Sequence, residues 1–230
     1  MIKAVIFDLD GTLGDTVESI AYSGNRALAD LGYPPFPVER YKYYAGDGVD
    51  ELVRRCLRDE GDVNCEQFEK LRSIYKAYFS KDCMYHVKPF DGICEMLSEL
   101  KRREIRIAVL SNKPHAQSVD VVESLFGKGY FDRIQGQTEK IRRKPAPDGA
   151  LALAEAFGVR TEECLYVGDT NTDMQTGNAA HMHPVGVLWG FRNRRELEEN
   201  GSEFVIGKPW ELLSVLDTFG NTGIVGRSEV

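Results

Sequence analysis

Two aspartates near the start of the chain, Asp8 and Asp10, have the residue type and spacing for paired nucleophilic and acid–base chemistry. They follow an apolar run, and residues two apart in an extended chain point to the same side, so both carboxylates can face one site. Gly11 then lets the backbone turn. Since an isolated Asp-x-Asp-Gly segment is more often a turn or a helix cap, the pair needs support from the rest of the chain.

Further polar groups follow two other apolar runs. Ser111 and Asn112 come directly after one of them, and Asp169 comes after another. If a helix begins beyond Asp169, Asp173 lies one turn further and can face the same cavity. Four carboxylates would then cluster, and they would repel one another unless a cation were bound. An all-oxygen set of this kind is what Mg²⁺ prefers, so the sequence predicts a magnesium site.

A lysine completes the set. Lys144 lies in RRKPAP, just before an Ala- and Leu-rich helical pattern, where its ammonium could balance Asp8 and a bound phosphate. Each motif alone is weak evidence for a functional site. Their order along the chain, each near a predicted element, argues against a set of unrelated turns. Ligands of open α/β sheets bind beyond the carboxyl ends of the strands, so we expect these groups to meet at one sheet edge.

The elements that must position these groups indicate a doubly wound α/β fold with a mainly parallel, Rossmann-like sheet. Nearly continuous apolar runs predict strands that are buried on both faces, at Lys3–Phe7, Arg106–Leu110, Glu163–Val167 and His183–Trp189. Between them, one-sided apolar patterns predict helices at Gly92–Arg103 and Asp148–Phe157.

The stretch between the first two strands has a helical pattern and no convincing strand. Helices are predicted there at Thr16–Leu31, Val49–Arg58 and Glu66–Phe79. We therefore expect an α-helical cap domain at residues 15–86, inserted into a core domain formed by residues 1–14 and 87–220. Residues 221–230 are polar and are expected to form a flexible tail.

The segments FDLDGTL, SNK, KPAP and GDTNTDM together resemble the four motifs of the haloacid dehalogenase superfamily, in its phosphatase branch. The resemblance runs from Ile2 to about Leu216 and includes the insertion point of a helical cap. The stretch GDTNTDMQTGNAAHMHPVGVLWGF is similar to that of phosphoglycolate phosphatase-like members. The resemblance implies a phosphatase for a small phosphorylated metabolite, with 2-phosphoglycolate ranked first.

The resemblance also implies a role for each motif residue. Asp8 would attack phosphorus to form an aspartyl-phosphate, and Asp10 would protonate the leaving group and later deprotonate water. Mg²⁺ would be bound by the Asp8 carboxylate, the Asp10 carbonyl and Asp169, with Asp173 as a further ligand or as support. The transferring phosphate would be held by Ser111, the backbone of Asn112, Lys144 and the backbone amides of Leu9 and Asp10.

The cap is expected to read the leaving group through a turn at Gly46, Asp47 and Gly48, whose glycines allow backbone amides to approach an anion. Several basic cap residues could pair with a substrate carboxylate, although exposed basic residues on helices are usually solvated, and we prefer that interpretation for Arg40, Lys42, Arg54 and Arg55.

Other activities on the same core stay open. The motifs do not separate a phosphatase for this ester from a pyrophosphatase, a sugar-phosphate phosphatase or a β-phosphoglucomutase-like mutase. Dehalogenation is disfavoured because those members resemble this chain but lack the second aspartate, here Asp10, and need no metal. A non-catalytic ligand-binding module is a remote alternative, against which the intact carboxylates and Lys144 argue.

Composition limits the partners. With 42% hydrophobic and 28% charged residues, the chain is typical of a soluble globular protein, and a net charge of −7 argues against nucleic-acid binding. The apolar runs are far shorter than the roughly twenty residues of a membrane span. The start of the chain does not resemble a secretory signal, so we expect a cytoplasmic location, and a monomer or weak homodimer.

Overall fold

A six-stranded parallel sheet forms the centre of the molecule. The computed structural model describes residues 1–220, so the predicted tail at 221–230 lies outside the described residues. In chain order the strands are β1 (Ala4–Phe7), β2 (Gly14–Asp15), β3 (Lys88–Pro89), β4 (Arg106–Pro114), β5 (Arg133–Gln137), β6 (Cys164–Gly168), β7 (His183–Val187) and β8 (Phe204–Ile206). The large sheet has the order β5-β4-β1-β6-β7-β8, and each neighbouring pair is parallel.

Helices cover this sheet and fill the segment between β2 and β3. In chain order they are α1 (Val17–Asp30), α2 (Val38–Tyr44), α3 (Val49–Asp59), α4 (Phe68–Asp82), α5 (Ile93–Arg102), α6 (His115–Phe126), α7 (Asp148–Phe157), α8 (Asn171–Ala179), α9 (Arg194–Glu199) and α10 (Glu211–Thr218). None of the helices within residues 1–220 is both long enough and apolar enough to cross a membrane.

The central strand β1 is buried along its whole length, and its side chains alternate between two apolar clusters. Val5 and Phe7 belong to a large cluster that also contains apolar residues of α1 to α5. Ala4 and Ile6 belong to a second cluster, which includes Leu153 of α7. Because both faces of the strand are covered, its sequence is continuously apolar rather than alternating. The predicted doubly wound α/β class is confirmed.

The helices α1 to α4, which we call the helical insert, pack on one another around buried aromatic and aliphatic side chains. Tyr41 of α2 is fully buried, and its ring approaches α1 so closely that a Cβ at Gly24 would lie 2.5 Å from it. Burying a large side chain of this kind stabilises the fold by about 1.5–3 kcal/mol. At the base of the insert, β2 and β3 pair as a two-stranded antiparallel ribbon.

Several elements were not predicted, and each has a local reason. The edge strands β5 and β8 have weak signals, because RIQGQ is mostly polar and FVI has only three residues. The helices α2 and α6 each begin directly after a proline, and α6 follows the last residue of β4 with no intervening turn. The predicted strand at His183–Trp189 was too long, since β7 ends at Val187. The stretch expected to contain no strand includes Asp15, which is part of β2.

Candidate active site

The predicted site residues meet at the carboxyl edge of the sheet. Phe7 of β1 pairs with Val109 of β4 and with Val167 of β6, so the residues that follow these positions lie side by side. Asp8 therefore lies between the Leu110 region of β4 and the end of β6, and its amide donates to the Val167 carbonyl over 2.8 Å. Parallel strands bring their polar ends together in this way whatever their separation in sequence.

Three buried carboxylates form the centre of the site. Asp8, Asp169 and Asp173 each contribute an oxygen to a group whose members lie within 4.8 Å of one another. Burial, with the neighbouring charge of Asp173, raises the pKa of Asp8 to about 7, and burial raises the pKa of Asp169 well above its ordinary value. Binding of a cation stabilises this arrangement, because the cation offsets both the cost of burying the carboxylate charges and the repulsion between them.

The chemistry of these donors fits Mg²⁺. All three are carboxylates, and Oδ1 of Asp8 is buried 2.8 Å from the Lys144 ammonium. An oxygen-only set of this kind suits a hard divalent cation better than a transition metal that prefers nitrogen or sulfur.

The Asp10 carboxylate corrects one expectation, because it does not join the cluster. The sequence predicted four clustered carboxylates, whereas Asp10 Oδ1 instead accepts from Nζ of Lys113 over 2.7 Å. Lys113 was passed over as a functional residue, although a charged residue three positions after the apolar run that ends at Leu110 was a usable signal. The side chain of Asp10 thus belongs to the cavity above the cluster rather than to the cluster itself.

Lys144 neutralises part of the cluster. Its Nζ lies 2.8 Å from Asp8 Oδ1 and 2.7 Å from Asp173 Oδ1. Burial opposes its charge, but the carboxylates of Asp173 and Asp8 outweigh burial and raise the pKa of Lys144 well above its ordinary value. Its backbone is held by the Asn112 side chain, which accepts from the Lys144 amide over 2.9 Å and donates to the Lys144 carbonyl over 3.1 Å.

The remaining carboxylates are oriented by the backbone and by threonines. Asp169 accepts from the Thr12 hydroxyl at 2.9 Å and from the Phe191 amide at 2.7 Å. Asp173 accepts from the hydroxyl of Thr170 at 2.6 Å. Gly11 is required between these groups, because its φ is 86° and a Cβ there would lie 2.2 Å from Asp169 Oδ2.

The residues expected to hold phosphate lie near Asp8. Ser111 is buried and borders the same cavity, and its hydroxyl accepts from the Lys113 amide at 3.2 Å. The side-chain amide of Asn112 donates to the carbonyls of Lys144 and Gly46 and so holds these loops, and the predicted phosphate contact of its backbone stays a prediction. Leu9 has a buried side chain, and its carbonyl accepts amides of the turn that follows Asp10.

A small cavity of about 40 Å³ separates Asp8 and Asp10 from the helical insert. Its insert side is mostly apolar, and its sheet side carries the polar groups described above. The lining residues from the insert are Ile20, Ala45, Gly46, Gly48, Val49, Leu52, Tyr75 and Phe79. The arrangement can hold a small anion against Asp8 and exclude bulk water from it.

The residues of the predicted specificity turn differ in what they contact. Gly46 and Gly48 line the cavity, whereas Asp47 accepts from the hydroxyl of Thr172 and pairs with Arg55. Although burial opposes its charge, these hydrogen bonds lower the pKa of Asp47. Asp47 therefore ties the turn to the start of α8 rather than facing the cavity.

A second residue that the sequence did not indicate is Arg192, which follows β7. It is buried and donates to the carbonyls of Lys42 and Ala45, at the end of α2. With Thr172 and Asn112 it makes a third polar contact from the sheet edge to the insert. By contrast, four basic insert residues pair with insert carboxylates: Arg40 with Asp59, Lys42 with Glu39, Arg54 with Glu51 and Arg55 with Asp47.

Known proteins resemble the chain over nearly its whole length. A model of the haloacid dehalogenase-like hydrolase family matches residues 5–187. The phosphoglycolate phosphatase of Aquifex aeolicus is 29% identical, covering 94% of this chain and 97% of that protein. That of Thiobacillus denitrificans is 32% identical, covering 89% and 91%. The solved structure of a candidate phosphoglycolate phosphatase from Lactobacillus delbrueckii subsp. bulgaricus has a TM-score of 0.89 and 31% identity, covering 93% and 98%. The similarity thus spans the sheet and the insert.

Proposed function

Because the chain belongs to the haloacid dehalogenase-like hydrolase family, we propose that this phosphatase hydrolyses a small phosphate monoester with Mg²⁺, through an aspartyl-phosphate on Asp8. The resemblance seen in the motifs is confirmed at the level of the family. The observation that carries the proposal is the convergence of Asp169, Asp173 and Lys144 on Asp8, which borders a small cavity.

Asp8 is proposed as the nucleophile. It borders the cavity, and the Lys144 ammonium 2.8 Å from its Oδ1 can balance the charge that gathers when a phosphate approaches. Attack by a carboxylate oxygen forms an O–P bond as the ester O–P bond breaks, and the leaving oxygen departs with the electron pair. Ser111 and the backbone amides of Leu9 and Asp10 are proposed to donate to the phosphate oxygens.

Asp10 is proposed as the acid and base. An alkoxide is a poor leaving group, so a proton from Asp10 must reach the ester oxygen, and Asp10 then takes a proton from the water that attacks the acyl-phosphate. Asp10 borders the same cavity as Asp8, which supports this role.

Mg²⁺ when bound would screen the Asp8 carboxylate from the phosphate dianion. We propose that Asp8, Asp169, Asp173 and the Asp10 carbonyl hold it. Thr12 and Thr170 keep two of these carboxylates oriented, as the partners of metal ligands commonly do.

The helical insert is proposed to act as the cap at residues 15–86, with residues 1–14 and 87–220 as the core. It closes the cavity over Asp8 and limits the leaving group to a small molecule. We propose 2-phosphoglycolate as the substrate, because relatives about 30% identical are phosphoglycolate phosphatases and the cavity is small. A cytoplasmic location and a monomeric or weakly dimeric state stay part of the proposal.

A substrate panel tests the proposal. Phosphate release should be measured with Mg²⁺ on 2-phosphoglycolate, pyrophosphate, hexose phosphates and nucleoside monophosphates, and ranked by kcat/KM. We expect 2-phosphoglycolate to rank first. A flat ranking would contradict the substrate, a requirement for a bisphosphate would identify a mutase, and absence of release from every compound would contradict the phosphatase itself.

A further inference from the structure

Lys113 is a buried cation for which the proposed chemistry has no use. It lies near the carboxyl end of β4, and its side chain is 2% exposed. Its Nζ lies 2.7 Å from Asp10 Oδ1 and 4.7 Å from the centroid of the Phe79 ring, which belongs to the insert. A buried ammonium needs an anionic partner, and Asp10 supplies one in this structure.

The charges around the cavity give Lys113 a distinctive position. Among the described residues that line it, Asp8 and Asp10 are the acidic groups and Lys113 is the one cation. Lys144 does not border the cavity, and its ammonium is taken up by Asp8 and Asp173. A second negative charge on a substrate in this cavity therefore meets Lys113.

The position of Lys113 relative to Asp10 restricts where that charge can lie. Asp10 must come within hydrogen-bond reach of the ester oxygen, and Lys113 lies beside Asp10. When a carboxylate is attached to the carbon that carries the ester oxygen, standard bond lengths separate the carboxylate oxygen from the ester oxygen by about 3 Å. One molecule can then contact Asp10 through the ester oxygen and Lys113 through the carboxylate.

We propose that Lys113 is the receptor for the leaving-group carboxylate and selects phosphate esters of short 2-hydroxy acids. The inference rests on the proposed phosphatase activity. It has the carboxylate of the substrate bind to a residue of the sheet rather than to a residue of the insert. On binding, the substrate carboxylate accepts from the Lys113 ammonium, which gives up its hydrogen bond to Asp10. The contact is lost for esters whose leaving group has no carboxylate.

Paired substrates separate this role from a purely structural one. The values of kcat/KM should be measured for 2-phosphoglycolate and for ethyl phosphate, which has a methyl group in place of the carboxylate. In Lys113→Met we expect the preference for 2-phosphoglycolate to fall by about 10- to 100-fold relative to wild type, as for a lost hydrogen bond between charged groups. Lys76→Met, an exposed lysine on α4, is the matched control and should keep the preference.

The outcomes are distinct. An equal loss on both substrates would overturn the inference, because Lys113 would then act only through Asp10. A wild-type enzyme that hydrolyses ethyl phosphate as well as 2-phosphoglycolate would also overturn it, while leaving the phosphatase proposal intact. If wild type releases phosphate from neither, the proposed activity fails, and binding decides the inference separately.

Binding is measured with two phosphonates of equal carbon-chain length, 3-phosphonopropionate and propylphosphonate, by calorimetry in the presence of Mg²⁺. We expect wild type to favour the carboxylated compound, and Lys113→Met to lose that preference. Lys113→Gln keeps a hydrogen-bond donor for Asp10, so it provides a second folded variant should the methionine variant be unstable. Equal affinities of wild type for the two phosphonates would overturn the inference.

Discussion

The two walls of the cavity differ in the kind of contact they make. On the sheet side, the lining residues Asp8 and Asp10 are held in ion pairs, Asp8 with Lys144 behind it and Asp10 with Lys113 beside it. On the insert side, the lining is mostly apolar, as with Leu52 and Phe79. The fixed charges suit bond making and breaking, and the apolar wall suits water exclusion and size selection. Changes in the sheet wall should therefore alter kcat most, and changes in contacts to the insert should alter KM.

The largest effect is expected at the nucleophile. Asp8→Asn should lower phosphate release by about 10⁴-fold or more, because an amide cannot form the acyl-phosphate, while its similar size preserves the fold. Turnover, acid-quenched phosphoenzyme and circular dichroism provide the measurements. Asp91→Asn, at an exposed aspartate, is the control and should stay within about twofold of wild type. A variant Asp8→Asn that works within tenfold of wild type would place the nucleophile elsewhere.

Metal removal should give the next largest effect, and it should depend on pH. Activity is expected to disappear in a strong chelator and return with Mg²⁺. The pKa of Asp8 rises from 3.8 to about 7 on folding without metal, so between these pH values the folded chain binds more protons than the unfolded one. Proton binding to folded Asp8 therefore stabilises the metal-free protein at low pH. This contribution to the free energy of unfolding decreases as pH rises toward 7.

Since Mg²⁺ offsets this loss, the increase in Tm that it causes should be larger at pH 8 than at pH 5. Thermal unfolding with Mg²⁺ or with chelator checks this at each pH. Asp8→Asn should show a weaker dependence on pH. If the increase in Tm caused by Mg²⁺ is the same at both pH values, or is smaller at pH 8, the view that buried carboxylates make up the metal site is contradicted.

A smaller effect is expected where the sheet edge contacts the insert. Arg192→Gln removes charged donors to the carbonyls of Lys42 and Ala45, and should raise KM by about tenfold with a lesser change in kcat. Arg194→Gln, an exposed arginine that pairs with Glu198, is the control. Steady-state kinetics separate the two constants. If Arg192→Gln lowers kcat and leaves KM unchanged, the division of tasks between the two walls is wrong.

The sheet edge could be predicted because its signals are local. An apolar run followed by Asp8, or by Asp169 and then Asp173 one turn later, fixes the position of each side chain at a strand end. Parallel pairing then brings residues far apart in sequence together, and Lys144 contacts Asp173 as a result.

The other features of the site could not be predicted from the local sequence, because they depend on side-chain rotamers and on packing between distant segments. Nothing beside Asp10 indicates that its carboxylate turns to Lys113 rather than to the other carboxylates. Similarly, Arg192 reaches carbonyls at the end of α2, and only the assembled fold brings these elements together. Edge strands and short helices after prolines were missed because their sequences have weak periodicity.

The ribbon of β2 and β3 has a consequence for how such an enzyme changes over time. Gly14 pairs with Pro89 and Asp15 with Lys88, so the chain leaves and returns at neighbouring points. With respect to the core, the helical insert is therefore one long connection between two neighbouring points. Each doubling of the length of such a connection costs only about 0.6 kcal/mol of loop-closure free energy. A segment of another size or fold can be spliced in at this point while the six parallel strands keep their order. Evolution can thus exchange the wall that selects the leaving group and retain the catalytic edge.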